Sequence, residues 1–146
     1  MNHETMEKII FIIDDDKVYL TVMMNHFKQM GGYNVHAYDE GDKALEKLGE
    51  TNPFLIILDH HLTDSAKDGL YYLRKIKKIK PKVPTLYITG DNSASLKGEV
   101  EREGAKSLIV KGPGYLVKIR TAIDEIIAAN EKKSKGILTR LFRKKK

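Results

Sequence analysis

Five short apolar segments, separated by stretches with helical periodicity, constrain the fold of this chain more than any other feature. Several of them are apolar almost throughout, as strands buried on both faces of a sheet are. The alternation predicts an α/β fold with a doubly wound, five-stranded parallel sheet in the flavodoxin-like order 2-1-3-4-5 and helices on both faces. The predicted strands are Lys8–Ile13, Tyr33–Tyr38, Phe54–Leu58, Val83–Ile88 and Ser107–Val110.

The helical segment between the fourth and fifth strands, residues 93–103, has the weakest apolar pattern. Its apolar anchors are Ala94, Leu96 and Val100. Gly98 in its interior costs about 1 kcal/mol relative to alanine. Two interpretations stay open: a poorly packed surface helix, or an element that shifts easily between two arrangements.

Charge is distributed unevenly along the 146 residues. The net charge is +6, yet residues 132–146 contain eight Lys or Arg and no Asp or Glu, which leaves 18 basic and 20 acidic side chains elsewhere. The length predicts one domain, residues 1–130, followed by a basic tail, residues 131–146. The chain has no cysteine, which excludes disulfides and thiolate chemistry. With no signal-peptide pattern at its start, it is predicted to be cytoplasmic.

The basic tail has three interpretations. If it is helical, one face carries Ile137, Leu138, Leu141 and Phe142, which is typical of a peripheral anchor on an anionic membrane. The cations also suit nonspecific contact with phosphate backbones. The third interpretation is a disordered, solubilising tail, either free or docked on a partner, and it is slightly favoured because a short apolar stretch makes a weak anchor. No motif for sequence-specific recognition of nucleic acid is present.

Residues that can carry chemistry follow four of the predicted strands. Asp14, Asp15 and Asp16 follow the first strand, and Asp59 follows the third. Ligands of such sheets bind beyond the carboxyl ends of the strands, where the strand order reverses, so these carboxylates are expected to meet. Clustered carboxylates repel one another unless one takes up a proton or a cation is bound, and oxygen ligands favour Mg²⁺.

Thr89 follows the fourth strand and Lys111 the fifth, so both are expected to approach the carboxylates from the adjacent side. A carboxylate can attack phosphorus and form an acyl phosphate. Such a transfer needs alignment and charge neutralisation, which a metal ion and Lys111 can supply. The hydroxyl of Thr89 can donate a hydrogen bond to the new phosphoryl group.

In order and spacing, the segments KIIFIIDDD, FLIILD, LYITG and LIVKGPG make the chain resemble the receiver domains of two-component response regulators, over roughly residues 7–130. The resemblance implies a phosphorelay receiver whose phosphoacceptor is Asp59 and whose phosphodonor is a histidine kinase or phosphotransfer protein. It implies that Thr89 and Lys111 contact the phosphoryl group. The implied ligands of Mg²⁺ are Asp14, Asp15, Asp59 and the backbone carbonyl of His61, with Asp16 as the substitute if the register slips by one residue.

The resemblance also implies what kind of protein this is. Receivers act as protein-interaction switches, and a downstream protein partner is expected to bind the face formed by the fourth and fifth helices. Catalysis is limited to transfer of a phosphoryl group to the chain's own aspartate and its hydrolysis, so the protein is not expected to be an enzyme in the usual sense.

Departures from the receiver pattern define the alternatives. Gly112 separates Lys111 from Pro113, whereas the family's lysine is usually followed directly by proline. Leu108 and Ile109 occupy the region where receivers tend to carry an aromatic residue. These differences favour, as an alternative, a receiver-like adaptor that works without phosphorylation, with its basic tail as a tether to an anionic surface. A phosphohydrolase is a third class, but it normally has a second aspartate where this chain has His61.

Overall fold

The computed structural model describes residues 6–63, 66–90 and 93–144. Strands and helices alternate along these residues, as the apolar pattern predicts. The strands are β1 (Lys8–Ile13), β2 (Tyr33–Tyr38), β3 (Leu55–Asp59), β4 (Thr85–Thr89) and β5 (Ser107–Val110). The helices are α1 (Lys17–Met30), α2 (Gly41–Leu48), α3 (Gly69–Ile79), α4 (Ala94–Arg102) and α5 (Tyr115–Lys144).

The five strands form one parallel sheet in the order β2-β1-β3-β4-β5, so the predicted fold class and strand order are confirmed. Because β1 lies between β2 and β3, the strand order reverses at the junction of β1 and β3. In this register Ile13 is the partner of Leu58, so the residues that follow them come out of the sheet at the same level.

Two strands begin and end slightly later than predicted. β3 begins at Leu55 rather than Phe54, and β4 begins at Thr85 rather than Val83. Pro84 has no N–H to donate, so the ladder of β4 begins after it, although its carbonyl accepts from the backbone N–H of Ile56 at 3.0 Å. As a result, Asp59 and Thr89 are the last residues of their strands instead of the first residues beyond them.

An apolar cluster covers each face of the sheet. One cluster packs α1 and α5 against the sheet, and the other packs α2, α3 and α4 against the opposite face. Both faces of the central strands are therefore covered, which explains why β3 and β4 are buried along their whole length. Burial of both faces also keeps water away from the base of any site at the strand ends.

Side-chain caps start three of the helices at the carboxyl edge of the sheet. Asp16, Asp68 and Ser93 each accept a hydrogen bond from a backbone N–H in the first turn of α1, α3 and α4, respectively. In α4, Leu96 and Val100 are buried, but Ala94 is exposed and does not anchor the helix as expected. α4 therefore rests on two buried apolar side chains.

α5 continues without a break past residue 130, where the sequence pattern predicts the end of the domain, and reaches Lys144. Every residue from Ala128 to Arg143 is exposed, so this part of the helix extends beyond the packed domain. The predicted domain boundary stays a prediction, and Lys145 and Lys146 lie outside the described residues. Over the described ranges, no helix combines the length and apolar character that a membrane span requires.

Candidate functional site

The register of β1 and β3 brings three carboxylates together. Asp14 follows Ile13 at the end of β1, and Asp59 follows Leu58 at the end of β3. Asp14 is 1% exposed and Asp59 3% exposed, whereas Asp15 is partly exposed. One carboxylate oxygen from each of the three residues lies within 4.8 Å of the other two. The expected convergence of residues 45 positions apart is therefore present.

Local hydrogen bonds decide which members of the acidic triplet face this cluster. Oδ1 of Asp14 accepts from the backbone N–H of Asp16 at 2.9 Å, and Oδ2 of Asp15 accepts from the hydroxyl of Thr63 at 3.2 Å. The carboxylate of Asp16 instead accepts from the N–H of Val18 as the cap of α1. The predicted pair of Asp14 and Asp15 is thus in the cluster, and Asp16 is outside it.

Lys111 closes the cluster from the end of β5. Its Nζ lies 3.1 Å from Oδ2 of Asp14 and 3.2 Å from Oδ1 of Asp59, and its side chain is 12% exposed. The backbone N–H of Lys111 donates to the carbonyl of Thr89 at 2.7 Å, which ties the start of this loop to β4. Gly112 between Lys111 and Pro113 therefore does not prevent the ammonium group from reaching the carboxylates.

Two tyrosines that the sequence analysis did not single out lie beside Lys111. Its Nζ lies 3.9 Å from the centroid of the Tyr19 ring, within the range of a cation–π interaction. The ring of Tyr115 packs edge-on against Tyr19, with 5.8 Å between centroids. Tyr19 is on α1 and Tyr115 begins α5, so their approach depends on the tertiary fold. Their positions four residues after Asp15 and Lys111 are the only local signal of it.

Burial and mutual repulsion set the protonation of the cluster. Burial and, after it, the nearby charge of Asp14 raise the pKa of Asp59, Lys111 opposes both effects, and the resulting pKa is about 6. Burial likewise raises the pKa of Asp14. For Lys111 burial lowers the pKa, but the Asp59 and Asp14 carboxylates outweigh burial and the net pKa is raised. The ammonium group is therefore retained while the carboxylates are poised to bind a proton or a cation.

The cluster fits a divalent hard cation. Oδ2 of Asp14 and Oδ1 of Asp59 are buried, and the nearby ammonium group contacts them without hydrogen-bond geometry, so both keep acceptor capacity. With all groups ionised, three carboxylates and one ammonium carry a charge of −2. Oxygen-only donors with this charge match the preference of Mg²⁺. Asp14, Asp15 and Asp59 are the described side chains that could hold the ion.

Thr89 is fully buried at the end of β4. Its neighbour Ile88 is the ladder partner of Asp59, so Thr89 lies one residue beyond the row that contains Asp59. Thr89 is thus at the same edge of the sheet as the carboxylates and Lys111. The phosphoryl contact that the resemblance implies for Thr89 stays a prediction.

The residues that follow Asp59 are held by β4 and α3. The N–H of His60 donates to the carbonyl of Ile88 at 2.8 Å, and the N–H of Gly69 donates to the carbonyl of His60 at 2.9 Å. A Cβ on Gly69 would lie 2.7 Å from the carbonyl oxygen of Asp59, so only glycine allows this close approach. The hydrogen bond from Gly69 to His60 joins the two ends of the segment 61–68.

The two histidines after Asp59 have different surroundings. Nδ1 of His60 forms a hydrogen bond with the hydroxyl of Tyr87, a buried residue of β4. His61 is exposed, and its ring packs edge-on against the ring of His60 with 4.9 Å between centroids. The metal contact implied for the carbonyl of His61 stays a prediction. Tyr87 is the partner of Leu108 in the ladder, so an aromatic side chain is next to the position where receivers tend to carry one.

Comparisons with known proteins agree with this geometry. A family model described as "Response regulator receiver domain" matches residues 10–124. The chain is 29% identical over 111 residues to the transcriptional regulatory protein ZraR of Escherichia coli. The matched segment covers 76% of this chain and 24% of ZraR. The chain thus spans about a quarter of the length of this curated relative.

Solved structures share the fold. A CheY-like response regulator receiver domain protein from Methanospirillum hungatei superposes with a TM-score of 0.76 at 22% identity, covering 86% of this chain and 98% of that one. A response regulator from Burkholderia pseudomallei, solved with a phosphorylated aspartic acid, a calcium ion and citrate, superposes with a TM-score of 0.72 at 23% identity. That match covers 87% of this chain and 73% of the other.

The family match begins within β1, spans β2 to β5 and includes every member of the carboxylate–lysine cluster. Receiver domains are generally signalling modules rather than enzymes that turn over a substrate, and they bind Mg²⁺ at an acidic pocket. The chain belongs to the response regulator receiver domain family of two-component signalling.

Proposed function

We propose that Asp59 accepts a phosphoryl group in a Mg²⁺-dependent reaction and that phosphorylation switches the protein's binding to a partner. The observation that supports this most directly is the cluster itself. Three carboxylates lie within 4.8 Å, and the Nζ of Lys111 is 3.1 and 3.2 Å from two of them. Burying several charged groups costs free energy, so a cluster of this kind is more typical of a functional site than of a packed core.

In the proposed reaction a carboxylate oxygen of Asp59 attacks the phosphorus of the donor. A bond forms between that oxygen and phosphorus, and the bond from phosphorus to the donor's leaving group breaks, so the leaving group keeps the electron pair. Asp59 must be ionised to act as the nucleophile. Its pKa is raised to about 6, and a cation bound beside it would lower that pKa and favour the carboxylate. Hydrolysis by water would reverse the modification and restore the carboxylate.

The other residues of the cluster have distinct proposed roles. Mg²⁺, when bound by Asp14, Asp15, Asp59 and the carbonyl of His61, supplies neutralisation of charge on the transferred group. Lys111 holds its ammonium group where the phosphoryl oxygens arrive, and the hydroxyl of Thr89 donates a hydrogen bond to them. Such transfer relies on alignment and electrostatic stabilisation more than on covalent participation of the protein.

The test uses a small phosphodonor. Wild-type protein incubated with acetyl phosphate and Mg²⁺ is expected to gain the mass of one phosphoryl group, and Asp59→Asn is expected to gain none. Asp39→Asn is the matched control, because Asp39 follows β2 at the same edge of the sheet but its side chain is 46% exposed. Absence of uptake by folded wild-type protein, or equal uptake by Asp59→Asn, would contradict the proposal.

α4 is the element best suited to respond to phosphorylation. It is held by Leu96 and Val100, and Arg74 of α3 forms exposed ion pairs with Glu99 of α4 and with Glu103, the residue that follows α4. Exposed pairs of this kind contribute about 0–1 kcal/mol each.

The proposed partners are a histidine kinase or phosphotransfer protein as phosphodonor and a downstream protein that binds the α4–α5 face. Amide exchange of residues 94–102 is expected to change on phosphorylation of wild type and not in Asp59→Asn.

The alternative of a phosphorylation-independent adaptor has no support from these contacts. It was motivated by Gly112 after Lys111 and by the lack of an aromatic residue at Leu108 and Ile109. Against the first motive, the Nζ of Lys111 lies at ion-pair distance from both buried carboxylates. We also propose a cytoplasmic location, since the chain has no cysteine and its family acts in two-component signalling.

A further inference from the structure

The part of α5 beyond the domain, residues 131–144 (the α5 extension), has a surface unlike the rest of the molecule. Its four large apolar side chains are exposed: Ile137 by 58%, Leu138 by 55%, Leu141 by 55% and Phe142 by 71%. Monomeric proteins rarely leave several large apolar residues together in water without a binding role. These four exposed side chains therefore indicate a binding surface.

The apolar residues form one face of the extension. At 3.6 residues per turn, Ile137, Leu138, Leu141 and Phe142 lie within an arc of about 140°. The opposite arc carries cations at positions 132, 133, 140 and 143, and Lys135 lies at one border of the apolar face. A basic helix with this division is typical of segments that lie in the interface of an anionic bilayer, with cations near the phosphates and apolar side chains among the acyl chains.

We infer that the α5 extension binds an anionic lipid bilayer. A short apolar stretch alone makes a weak anchor because folding it into a helix on the membrane costs free energy. Here the extension continues a helix whose first half packs against the sheet through Ile119, Ile123 and Ile126. Nucleation is thus already provided by the domain, and the amphipathic face exists before binding.

Charge argues against two other occupants of this face. In a second copy of the chain, pairing of the two apolar faces would bring together segments that each carry eight cations and no acid in residues 132–146. Such repulsion opposes a helix pair. A nucleic acid would neutralise the cations but would leave Leu141 and Phe142 in water, since phosphate-backbone contacts bury little apolar surface.

The position of the extension fits attachment to a surface. Leu138 borders a groove with Lys8, the first residue of β1, and Phe54, which precedes β3. The extension therefore leaves the domain at the amino edge of the sheet, opposite the carboxylate cluster. The α5 extension is thus at the opposite end of the sheet from the cluster, and the proposal does not depend on phosphorylation of Asp59.

Vesicle flotation tests the inference on the full chain. Wild-type protein is expected to float with vesicles of phosphatidylcholine and phosphatidylglycerol and to stay unbound with phosphatidylcholine alone. Leu141→Ser with Phe142→Ser is expected to weaken binding more than tenfold, and Arg140→Gln with Arg143→Gln at least about fivefold. Val117→Ser with Lys118→Gln is the matched control, because both residues are exposed on α5 within the domain. Circular dichroism establishes that each variant is folded.

Each other outcome overturns the inference. Failure of folded wild-type protein to float with anionic vesicles at about 0.1 M salt does so directly, as does equal binding of neutral vesicles or of the Leu141→Ser, Phe142→Ser variant. If wild-type protein does not float, and light scattering shows that it is a dimer whereas the variant is a monomer, the apolar face binds a second copy of the chain. Binding to duplex DNA that the apolar substitutions leave unchanged, without flotation, assigns the cations to nucleic acid. Asp59→Asn is expected to float like wild type.

Discussion

The charges of Asp14, Asp59 and Lys111 are largely shielded from water, whereas the cations of the α5 extension are exposed to it. Lys111 is 12% exposed and has two carboxylates and an aromatic ring around its ammonium group. Lys133 has the same side chain on a fully solvated helix. The comparison teaches that the surroundings of a cation decide whether it contributes to the chemistry of one site or to the charge of a surface.

The largest expected effect comes from removing the buried cation. Lys111→Met leaves Asp14 and Asp59 buried without their counter-ion, so the free energy of unfolding at pH 7 without metal should fall by about 3 kcal/mol. Lys133→Met should change it by less than about 0.5 kcal/mol. Urea denaturation of both variants measures the difference. A loss of similar size in both would remove the contrast between the two regions.

The cluster should also make stability depend on pH. The folded-state pKa of Asp59 is raised from 3.8 to about 6, so the folded protein holds a proton that the unfolded chain releases in this range. The free energy of unfolding of the metal-free protein should therefore fall as pH rises from about 4 to about 6, by on the order of 1–3 kcal/mol from this residue.

Asp59→Asn isolates this contribution. The variant should lose less stability than wild type over the same pH range, and it should be more stable than wild type at pH 7 without metal, because one buried charge is gone. Thermal unfolding at a series of pH values measures both. A variant that follows the wild-type pH curve would show that Asp59 titrates normally.

A smaller effect is expected from Tyr19. Tyr19→Ala removes the ring from the ammonium of Lys111 and should lower the rate of phosphoryl uptake by about fivefold, since a cation–π contact contributes about 1 kcal/mol. Tyr19→Phe keeps the ring face and should stay within about twofold of wild type. Tyr19→Leu keeps bulk without the aromatic face and should resemble alanine. Equal rates for leucine and phenylalanine would reduce the role of Tyr19 to packing.

The smallest expected effect on stability is at the extension. Leu141→Ser with Phe142→Ser should leave the unfolding temperature within about 2 °C of wild type, because neither side chain packs against the domain. Differential scanning calorimetry measures it. A larger loss would mean that the apolar face contacts the domain in solution, and the contrast with the packed half of α5 would then be wrong.

The fold was predictable from the sequence because its signals are short in range. Apolar runs of about strand length define the five strands, and Asp16 and Gly31 mark the two ends of α1. Two predictions were wrong in detail: the first residue of β4 and the role of Ala94 as an apolar anchor of α4. Pro84 delays β4, and Ala94 is exposed because, at 3.6 residues per turn, it lies on a different side of α4 from the buried Leu96 and Val100.

The candidate site was predictable only in part. Strand ends and the family pattern identify Asp14, Asp59 and Lys111, because parallel strands bring their carboxyl ends to one edge. The approach of Tyr19 to Lys111 and the pairing of His60 with Tyr87 were not foreseen. These contacts join separate helices and strands at distances that the sequence spacing does not encode.

The hydrogen bond from Gly69 to His60 has a consequence for how this protein can vary. Because the bond joins His60 to Gly69, it holds together the two ends of the segment 61–68 without help from the residues between them. Lengthening such a closed loop costs little, roughly 0.6 kcal/mol for each doubling. Relatives could therefore gain or lose residues beside Asp59 without displacing β3 or α3, and the same point offers an engineer a place to insert a reporter peptide.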